Sequence, residues 1–148
     1  CHPAILKRLE ETNMEQTAGY GEDEYCREAA ERIKAVCEAP DANVHFLVGG
    51  TQTNVTVIAS ALRPYQGAIT ATTGHINVHE TGAVEACGYK CLTIDTPDGK
   101  LTAEQVEKYT KAHFADESFE HMVQPKLVYI SNPTELGTIY KKAELEAL

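Results

Sequence analysis

The sequence is poor in positive charge and contains no long apolar run. Its 148 residues include 13 Lys and Arg against 22 Asp and Glu, which gives a formal net charge of −9. Nucleic acids and anionic membrane surfaces are bound through cationic faces, so this balance argues against both as partners. No stretch approaches the roughly 18 consecutive apolar residues that cross a bilayer. The first residues, CHPAILKRLEE, lack the charged and apolar regions of a signal peptide. We therefore expect neither membrane nor nucleic acid as a partner.

The five cysteines lack the spacing of a structural metal site. Their number is odd and no CxxC pair occurs, which argues against both a zinc site of that spacing and a disulfide framework. Scattered thiols in a chain of this size are typical of a reducing compartment. We expect buried or incidental surface thiols and a cytoplasmic protein.

Apolar patterns along the chain alternate between helix-like and strand-like stretches. A helix is predicted over 24–38, and another over 53–63, after the turn at Gly49-Gly50-Thr51 and before Pro64. A third is predicted from residue 74 to Gly88, and a fourth follows the capping box of Thr102 and Gln105. Strands are predicted at 44–48, 68–72, 90–95 and 126–131, and a last helix starts near residue 141. Strand–helix alternation of this kind predicts an α/β fold in which a mostly parallel sheet is sandwiched by helices.

Three loops are rich in glycine or polar residues, and each follows a predicted strand. They cover residues 49–54, 72–75 and 131–135. In α/β sheets, ligands bind beyond the carboxyl ends of the strands, where loops lead into helices. These loops are therefore the candidate binding region.

The first loop, Gly49-Gly50-Thr51, is a candidate phosphate site. Glycines allow an anion to approach the backbone, and the free N–H groups of a helix start bind it. The loop lacks the lysine of GxxxxGK[ST] and the third glycine of GxGxxG, so neither a nucleoside triphosphate nor a dinucleotide is indicated. A plain turn into a helix is the alternative.

The segment GHINVHETG carries two histidines, His75 and His79, at a spacing that places both on one face of a helix. A metal site, a general base and a ring that packs on a flat cofactor are the functional interpretations. A solvated helix start is the structural one. Two histidines without a third ligand make a poor zinc site, and HINVHE is not HExxH. We expect no metal.

The motifs VGGTQTN, GHINVHETGA and HMVQPKLVYISN followed by PTELGT resemble the low-specificity L-threonine aldolases. Those enzymes depend on pyridoxal 5'-phosphate, have the aspartate-aminotransferase fold and are often grouped with β-eliminating lyases. The resemblance covers essentially the whole chain. It implies that residues 1–148 are part of a PLP-binding large domain that is truncated at both ends. The Schiff-base lysine, the aspartate that pairs with the pyridine nitrogen and the carboxylate-binding arginine would then lie outside this chain.

The resemblance also implies roles for individual residues. Gly50, Thr51 and Gln52 match the loop that binds the cofactor phosphate. His75 matches the histidine that stacks on the pyridine ring near the substrate hydroxyl. On the substrate side the resemblance implies His79, Asn132 and Tyr20. Relatives usually have an aromatic residue at position 79, and Tyr20 matches an early loop near the subunit interface. His121, eleven residues before Asn132, matches a second catalytic histidine.

The implied reaction is aldol cleavage of L-threonine or L-allo-threonine to glycine and acetaldehyde. It requires a base that takes the hydroxyl proton, and a histidine suits this transfer at neutral pH. The resemblance implies a homo-oligomer, a dimer or a tetramer, in the full-length protein. A β-eliminating lyase of the same fold and a non-catalytic phosphate-binding module are the alternatives.

Overall fold

The computed structural model describes all 148 residues, Cys1 to Leu148. The chain divides into two compact units, Cys1–Leu47 and Val48–Leu148. None of its helices combines the length and the apolar character that a bilayer-crossing helix requires.

The first unit contains two helices, α1 (Pro3–Thr12) and α2 (Glu24–Val36). The predicted helix over 24–38 is confirmed as α2, whose N-cap Asp23 accepts a hydrogen bond from the backbone N–H of Cys26 at 2.9 Å. The periodicity did not predict α1. Its start has a proline at the first turn and a side-chain cap from His2, a combination that favours helix initiation.

The second unit is built around a sheet of three parallel strands. They are β1 (Gln66–Ala71), β2 (Lys90–Ile94) and β3 (Gln124–Val128), in the order β2-β1-β3. Every residue of the central strand β1 is buried, as expected for a parallel sheet that is covered on both faces. The predicted α/β fold with a parallel sheet is therefore confirmed.

Helices cover both faces of this sheet. Alternate residues of β1 point to opposite sides, so neighbouring residues of this strand pack against different helices. Ala68 packs with Ile58 of α3 (Gly50–Ala61), and with apolar side chains of α4 (His75–Val78) and α5 (Ala83–Ala86). Ile69 belongs to a second apolar cluster, against which residues of α6 (Ala103–Ala115) pack. A 3-10 helix (Phe119–His121) and α7 (Lys142–Ala147) complete the unit. The predicted capping box of α6 is present in both halves.

Two predicted elements are wrong. Residues 44–48 form no strand, and the side chains of Phe46 and Val48 remain exposed. The sheet consists of β1, β2 and β3 alone, and residues 44–48 pair with none of them. The predicted helix from 74 to 88 is interrupted after Val78 because Thr81 and Gly82 have positive φ angles of 55° and 72°.

Strand β3 begins and ends earlier than its predicted range of 126–131. Its pairing with β1 is irregular next to Pro125, which has no N–H to donate to the neighbouring strand. Beyond Val128 the pairing continues through one further bond, from the Tyr129 N–H to the Ile69 carbonyl at 2.8 Å. The strand is thus shifted toward the amino terminus.

Candidate active site

The loops that follow β1 and β3 meet at one edge of the sheet. The two strands are parallel neighbours, so their carboxyl ends lie side by side. His75 begins α4 shortly after β1, and Glu135 lies in the loop after β3. His75 Nδ1 is 3.0 Å from Glu135 Oε1. Two of the three loops that the sequence singled out thus come together in the structure.

One carboxylate faces both histidines of this segment. The His75 and His79 rings lie 5.5 Å apart between centroids and are tilted by 48°. His79 Nε2 is 3.7 Å from Glu135 Oε2, whereas His75 Nδ1 is 3.0 Å from the other oxygen, Oε1. The predicted juxtaposition of the two imidazoles is present, although His79 is the C-cap of α4 and no longer part of the helix.

A buried carboxylate, Glu80, joins the histidine segment to α3. The Glu80 side chain is fully buried, and its Oε1 accepts a hydrogen bond from Asn54 Nδ2 of α3 at 2.6 Å. The same oxygen is 4.0 Å from His75 Nε2, and Oε2 has no partner. The break after α4 turns Glu80 inward, where a carboxylate needs polar partners. The amino-terminal half of α3 is therefore held beside His75.

The amino terminus of α3 is open. Its N-cap, Gly49, provides no side-chain hydrogen bond, so the first N–H groups of this 12-residue helix point outward. A Cβ placed on Gly50 would meet nothing within 4 Å, and Thr51 is exposed. Gln52 turns back over the loop and accepts a hydrogen bond from the Val48 N–H at 3.3 Å. The arrangement presents N–H donors and a free helix end, which together attract an anion.

The turn into α4 is tight because Gly74 approaches the end of β1 closely. A Cβ on Gly74 would overlap Thr70 Oγ1 and lie 3.0 Å from the Ala71 carbonyl oxygen. Thr70 is fully buried, so it has little room to yield. Gly74 is thus the residue that allows His75 to start the helix at this position.

His121 and His75 lie at opposite ends of the strands: His121 lies where β3 begins, and His75 lies beyond the carboxyl end of β1. His121 ends the 3-10 helix just before β3, at the amino-terminal end of that strand. It lines a surface depression together with Lys90 at the start of β2 and His113 of α6. Within one chain, the structure does not bring the two predicted catalytic histidines together.

Asn132 makes a local hydrogen bond, and Tyr20 lies on the surface. The Asn132 side chain lies in the loop after β3 and accepts a hydrogen bond from the Tyr140 N–H at 3.2 Å. Tyr20 is exposed in a turn of the first unit, with a φ of 63°. Their predicted substrate-side roles, like that of His79, stay predictions.

Sequence reasoning gave no role to Glu135, Glu80 or Asn54. Glu135 lies within the third candidate loop, residues 131–135. Glu80 was considered only as the glutamate of an HExxH zinc motif, which the sequence does not contain. The strand order was the missing information for Glu135, because it makes β1 and β3 neighbours although they are far apart in sequence. Glu80 and Asn54 depend on the break after α4, which the helical pattern did not predict.

The chain is similar to proteins of one known family. The chain matches the profile of the β-eliminating lyases over residues 2–148. It is 29% identical over 148 residues to a low-specificity L-threonine aldolase of Pseudomonas sp. (strain NCIMB 10558), and 28% identical to one of Pseudomonas aeruginosa. Each alignment covers 99% of this chain and 41% of the relative.

A solved structure of Leishmania major threonine aldolase is also similar. Its TM-score is 0.90 at 52% sequence identity, over 99% of this chain and 42% of the other. The chain thus spans about two fifths of the length of the relatives that it matches. It belongs to the β-eliminating lyase family, whose members depend on pyridoxal 5'-phosphate.

Proposed function

We propose that the full-length protein cleaves L-threonine or L-allo-threonine to glycine and acetaldehyde with pyridoxal 5'-phosphate, and that residues 1–148 are part of its large domain. The observation that carries the proposal is the position of His75. Its imidazole is held at the carboxyl end of the sheet, in a segment that the Asn54–Glu80 hydrogen bond joins to α3, the helix with the open N-terminus. The likeness to threonine aldolases supports the choice of substrate.

The residues at the start of α3 fit the phosphate end of this cofactor. Gly50 leaves open the space that a Cβ would fill, so a phosphate can approach the backbone N–H groups closely. The exposed Thr51 adds a hydroxyl donor. Gln52 shapes the loop through its hydrogen bond with the Val48 N–H. The free helix end favours the negative charge.

His75 fits the ring end of the cofactor. Its side chain is 40% exposed, so the imidazole has surface left for a flat ring to pack on. The Asn54–Glu80 hydrogen bond fixes α3 relative to the segment that carries His75. This hydrogen bond therefore links the helix that carries the phosphate donors to the segment that carries the stacking surface.

Bound pyridoxal phosphate supplies an electron sink for the negative charge that is left on the substrate Cα. The chain supplies the proton acceptor. Cleavage of the Cα–Cβ bond requires that the hydroxyl on Cβ lose its proton, and we assign this transfer to a nitrogen of His75. General base catalysis of this kind contributes about 10²–10⁴-fold to the rate. His121, at the other edge of the same chain, keeps its proposed substrate-side role as a separate hypothesis.

The test is product analysis of the full-length protein with L-threonine and L-allo-threonine. We expect equimolar glycine and acetaldehyde, and a loss of about 10²–10⁴-fold in turnover for His75→Phe. His45→Phe, at an exposed histidine, is the matched control and should keep full activity. Full activity in His75→Phe would remove this residue from the mechanism. His121→Phe, assayed alone and with His75→Phe, tests the second histidine.

A β-eliminating lyase is the second candidate, and the family profile that the chain matches favours it. Elimination expels a substituent from Cβ and leaves the Cα–Cβ bond intact, so it yields pyruvate and ammonia from a substituted alanine. Release of pyruvate without glycine from the full-length protein would establish this reaction and exclude the aldolase.

We also propose that the full-length protein is a cytoplasmic homo-oligomer, a dimer or a tetramer. The five free cysteines are consistent with a reducing compartment. Light scattering coupled to size-exclusion chromatography measures the mass of the assembly, and cell fractionation tests its location. A monomer, or recovery outside the cytoplasm, would contradict the corresponding part.

A further inference from the structure

Glu135 contacts one of the two nitrogens of the His75 ring. An ionised carboxylate only accepts hydrogen bonds. A hydrogen bond across the 3.0 Å between His75 Nδ1 and Glu135 Oε1 therefore requires the hydrogen to be on Nδ1. In a neutral imidazole the other nitrogen, Nε2, then has the free lone pair.

The remaining groups around His75 leave Nε2 without a direct partner. Its nearest charged neighbour is Glu80 Oε1 at 4.0 Å, which is too far for a hydrogen bond. That oxygen already accepts a hydrogen bond from Asn54. The His79 ring lies beside His75 and shares Glu135 with it. Nε2 is thus the nitrogen that can receive a proton from a ligand.

The loop that carries Glu135 is firmly anchored. The adjacent residue, Thr134, is buried, and its hydroxyl lies 2.6 Å from that of Thr138. Thr138 in turn donates to the Asp98 carbonyl at 2.6 Å. A positioning group works only when its own support is rigid, and these bonds supply that support.

We propose that Glu135 is a positioning residue, which holds His75 in the Nδ1–H form and leaves Nε2 as the proton acceptor. The catalytic consequence rests on the proposed function. The hydrogen position itself does not, and it can be measured without substrate or cofactor.

The decisive measurement is ¹⁵N NMR of the imidazoles in cofactor-free, full-length protein containing ¹⁵N-labelled histidine, at basic pH. Loss of signals in His75→Phe assigns the resonances of His75. We expect the Nδ1–H form in the wild type and a shift toward Nε2–H, the form that free imidazoles favour, in Glu135→Leu. Glu135→Gln retains an acceptor oxygen and should lie between the two. Glu117→Leu, at an exposed glutamate, should match the wild type.

Two NMR results would overturn the proposal. One is a wild-type His75 that carries hydrogen on Nε2, alone or together with Nδ1. The other is an Nδ1–H form that persists unchanged in Glu135→Leu. The Glu135→Gln variant has nearly the shape of the wild type, so a folding defect in the leucine variant does not prevent the comparison.

Kinetics test the catalytic consequence. Loss of a hydrogen bond to a charged group corresponds to roughly 10- to 100-fold, and we expect kcat to fall by this factor in Glu135→Leu with KM unchanged. Combined with His75→Phe, the substitution should cost nothing further, because the two residues act as one unit. Full activity in Glu135→Leu would overturn the positioning role in catalysis. If no variant cleaves threonine, wild type included, the proposed function fails, and the NMR result still decides the assignment of Glu135.

Discussion

Replacing Gly74 by alanine should destabilise the protein through one identifiable steric conflict. The added Cβ would overlap Thr70 Oγ1 and press on the Ala71 carbonyl oxygen at 3.0 Å. Thr70 is fully buried in the central strand and cannot leave its place without disturbing the sheet. Overpacking of this kind costs about 1–3 kcal/mol. Since whole domains are stable by only about 5–15 kcal/mol, the loss is large.

A second substitution identifies the cause. Thr70 Oγ1 has no hydrogen-bond partner, so Thr70→Ala removes the obstructing atom without breaking a bond. In the double variant, the contact with the Ala71 carbonyl remains but the overlap is gone. We expect the double variant to recover at least half of the free energy of unfolding that Gly74→Ala loses. This recovery corresponds to a coupling energy of about 0.5–3 kcal/mol between the two sites. Gly19→Ala, where a Cβ meets nothing within 4 Å, should change stability by less than about 0.5 kcal/mol.

Urea unfolding followed by far-ultraviolet circular dichroism measures these differences. Thermal unfolding of the same variants gives a second estimate of these differences. Because His75 directly follows the glycine, Gly74→Ala should also lower the activity of the full-length protein. A variant as stable as the wild type, or purely additive effects of the two substitutions, would refute the steric explanation.

Four further predictions concern the cofactor loop, one thiol and one ion pair. Gly50→Ala should leave the free energy of unfolding unchanged or slightly higher. It should weaken pyridoxal phosphate binding in a titration, because the added methyl group takes the space of the phosphate. Equal affinity of the variant and the wild type would contradict the phosphate site. Thr51→Val should weaken the same binding by about 1.5–3 kcal/mol through one lost hydrogen bond to a charged group, and an unchanged Kd would exclude that bond. Burial raises the pKa of the Cys91 thiol to about 12, so iodoacetamide followed by mass spectrometry should label the exposed cysteines first, and simultaneous labelling would show that Cys91 is accessible. The side-chain hydrogen bond from Lys100 lowers the pKa of Glu144, so this pair stabilises α7 at pH values above the ordinary glutamate pKa and ceases to do so as the pH falls through the lowered pKa. Hydrogen exchange of the α7 amides should become less protected in that pH range, and Glu144→Gln should remove the pH dependence.

The sequence predicted the architecture well where local pattern and burial agree. The helix that became α2 and the capping box at Thr102 follow directly from residue periodicity and capping chemistry. The strand that became β2 was bounded by turn residues and was also predicted at its observed place.

The failures occur where tertiary structure overrides local preference. Residues 44–48 have a strand-like composition, but in the structure they pair with none of the three strands. The apolar spacing from residue 74 to 88 continues across the break, so it does not reveal that Thr81 and Gly82 adopt positive φ angles. That break buries Glu80, which is why the contact with Asn54 was not expected.

The same limit applies to the candidate site. His75 stood out because its loop follows a strand and is flanked by glycine. Glu135 became significant only once β3 was known to lie beside β1. His121 was predicted to be catalytic from its spacing to Asn132 along the chain. That spacing does not reveal whether a residue lies at the amino or the carboxyl end of the strands. The three assignments therefore rest on three different kinds of information.

The strand order has a consequence for the growing chain on the ribosome. Gln66 of β1 pairs with Gln124 of β3, a separation of 58 residues, while β2 emerges much earlier. At about 5–20 residues per second, roughly 3–12 s pass before β3 can join the sheet. Throughout this interval one edge of the strand that is fully buried in the finished protein has no partner, and an unpaired edge of this kind invites association with other chains. Glu135 emerges later still, so the contact with His75 is among the last to form during synthesis of this segment.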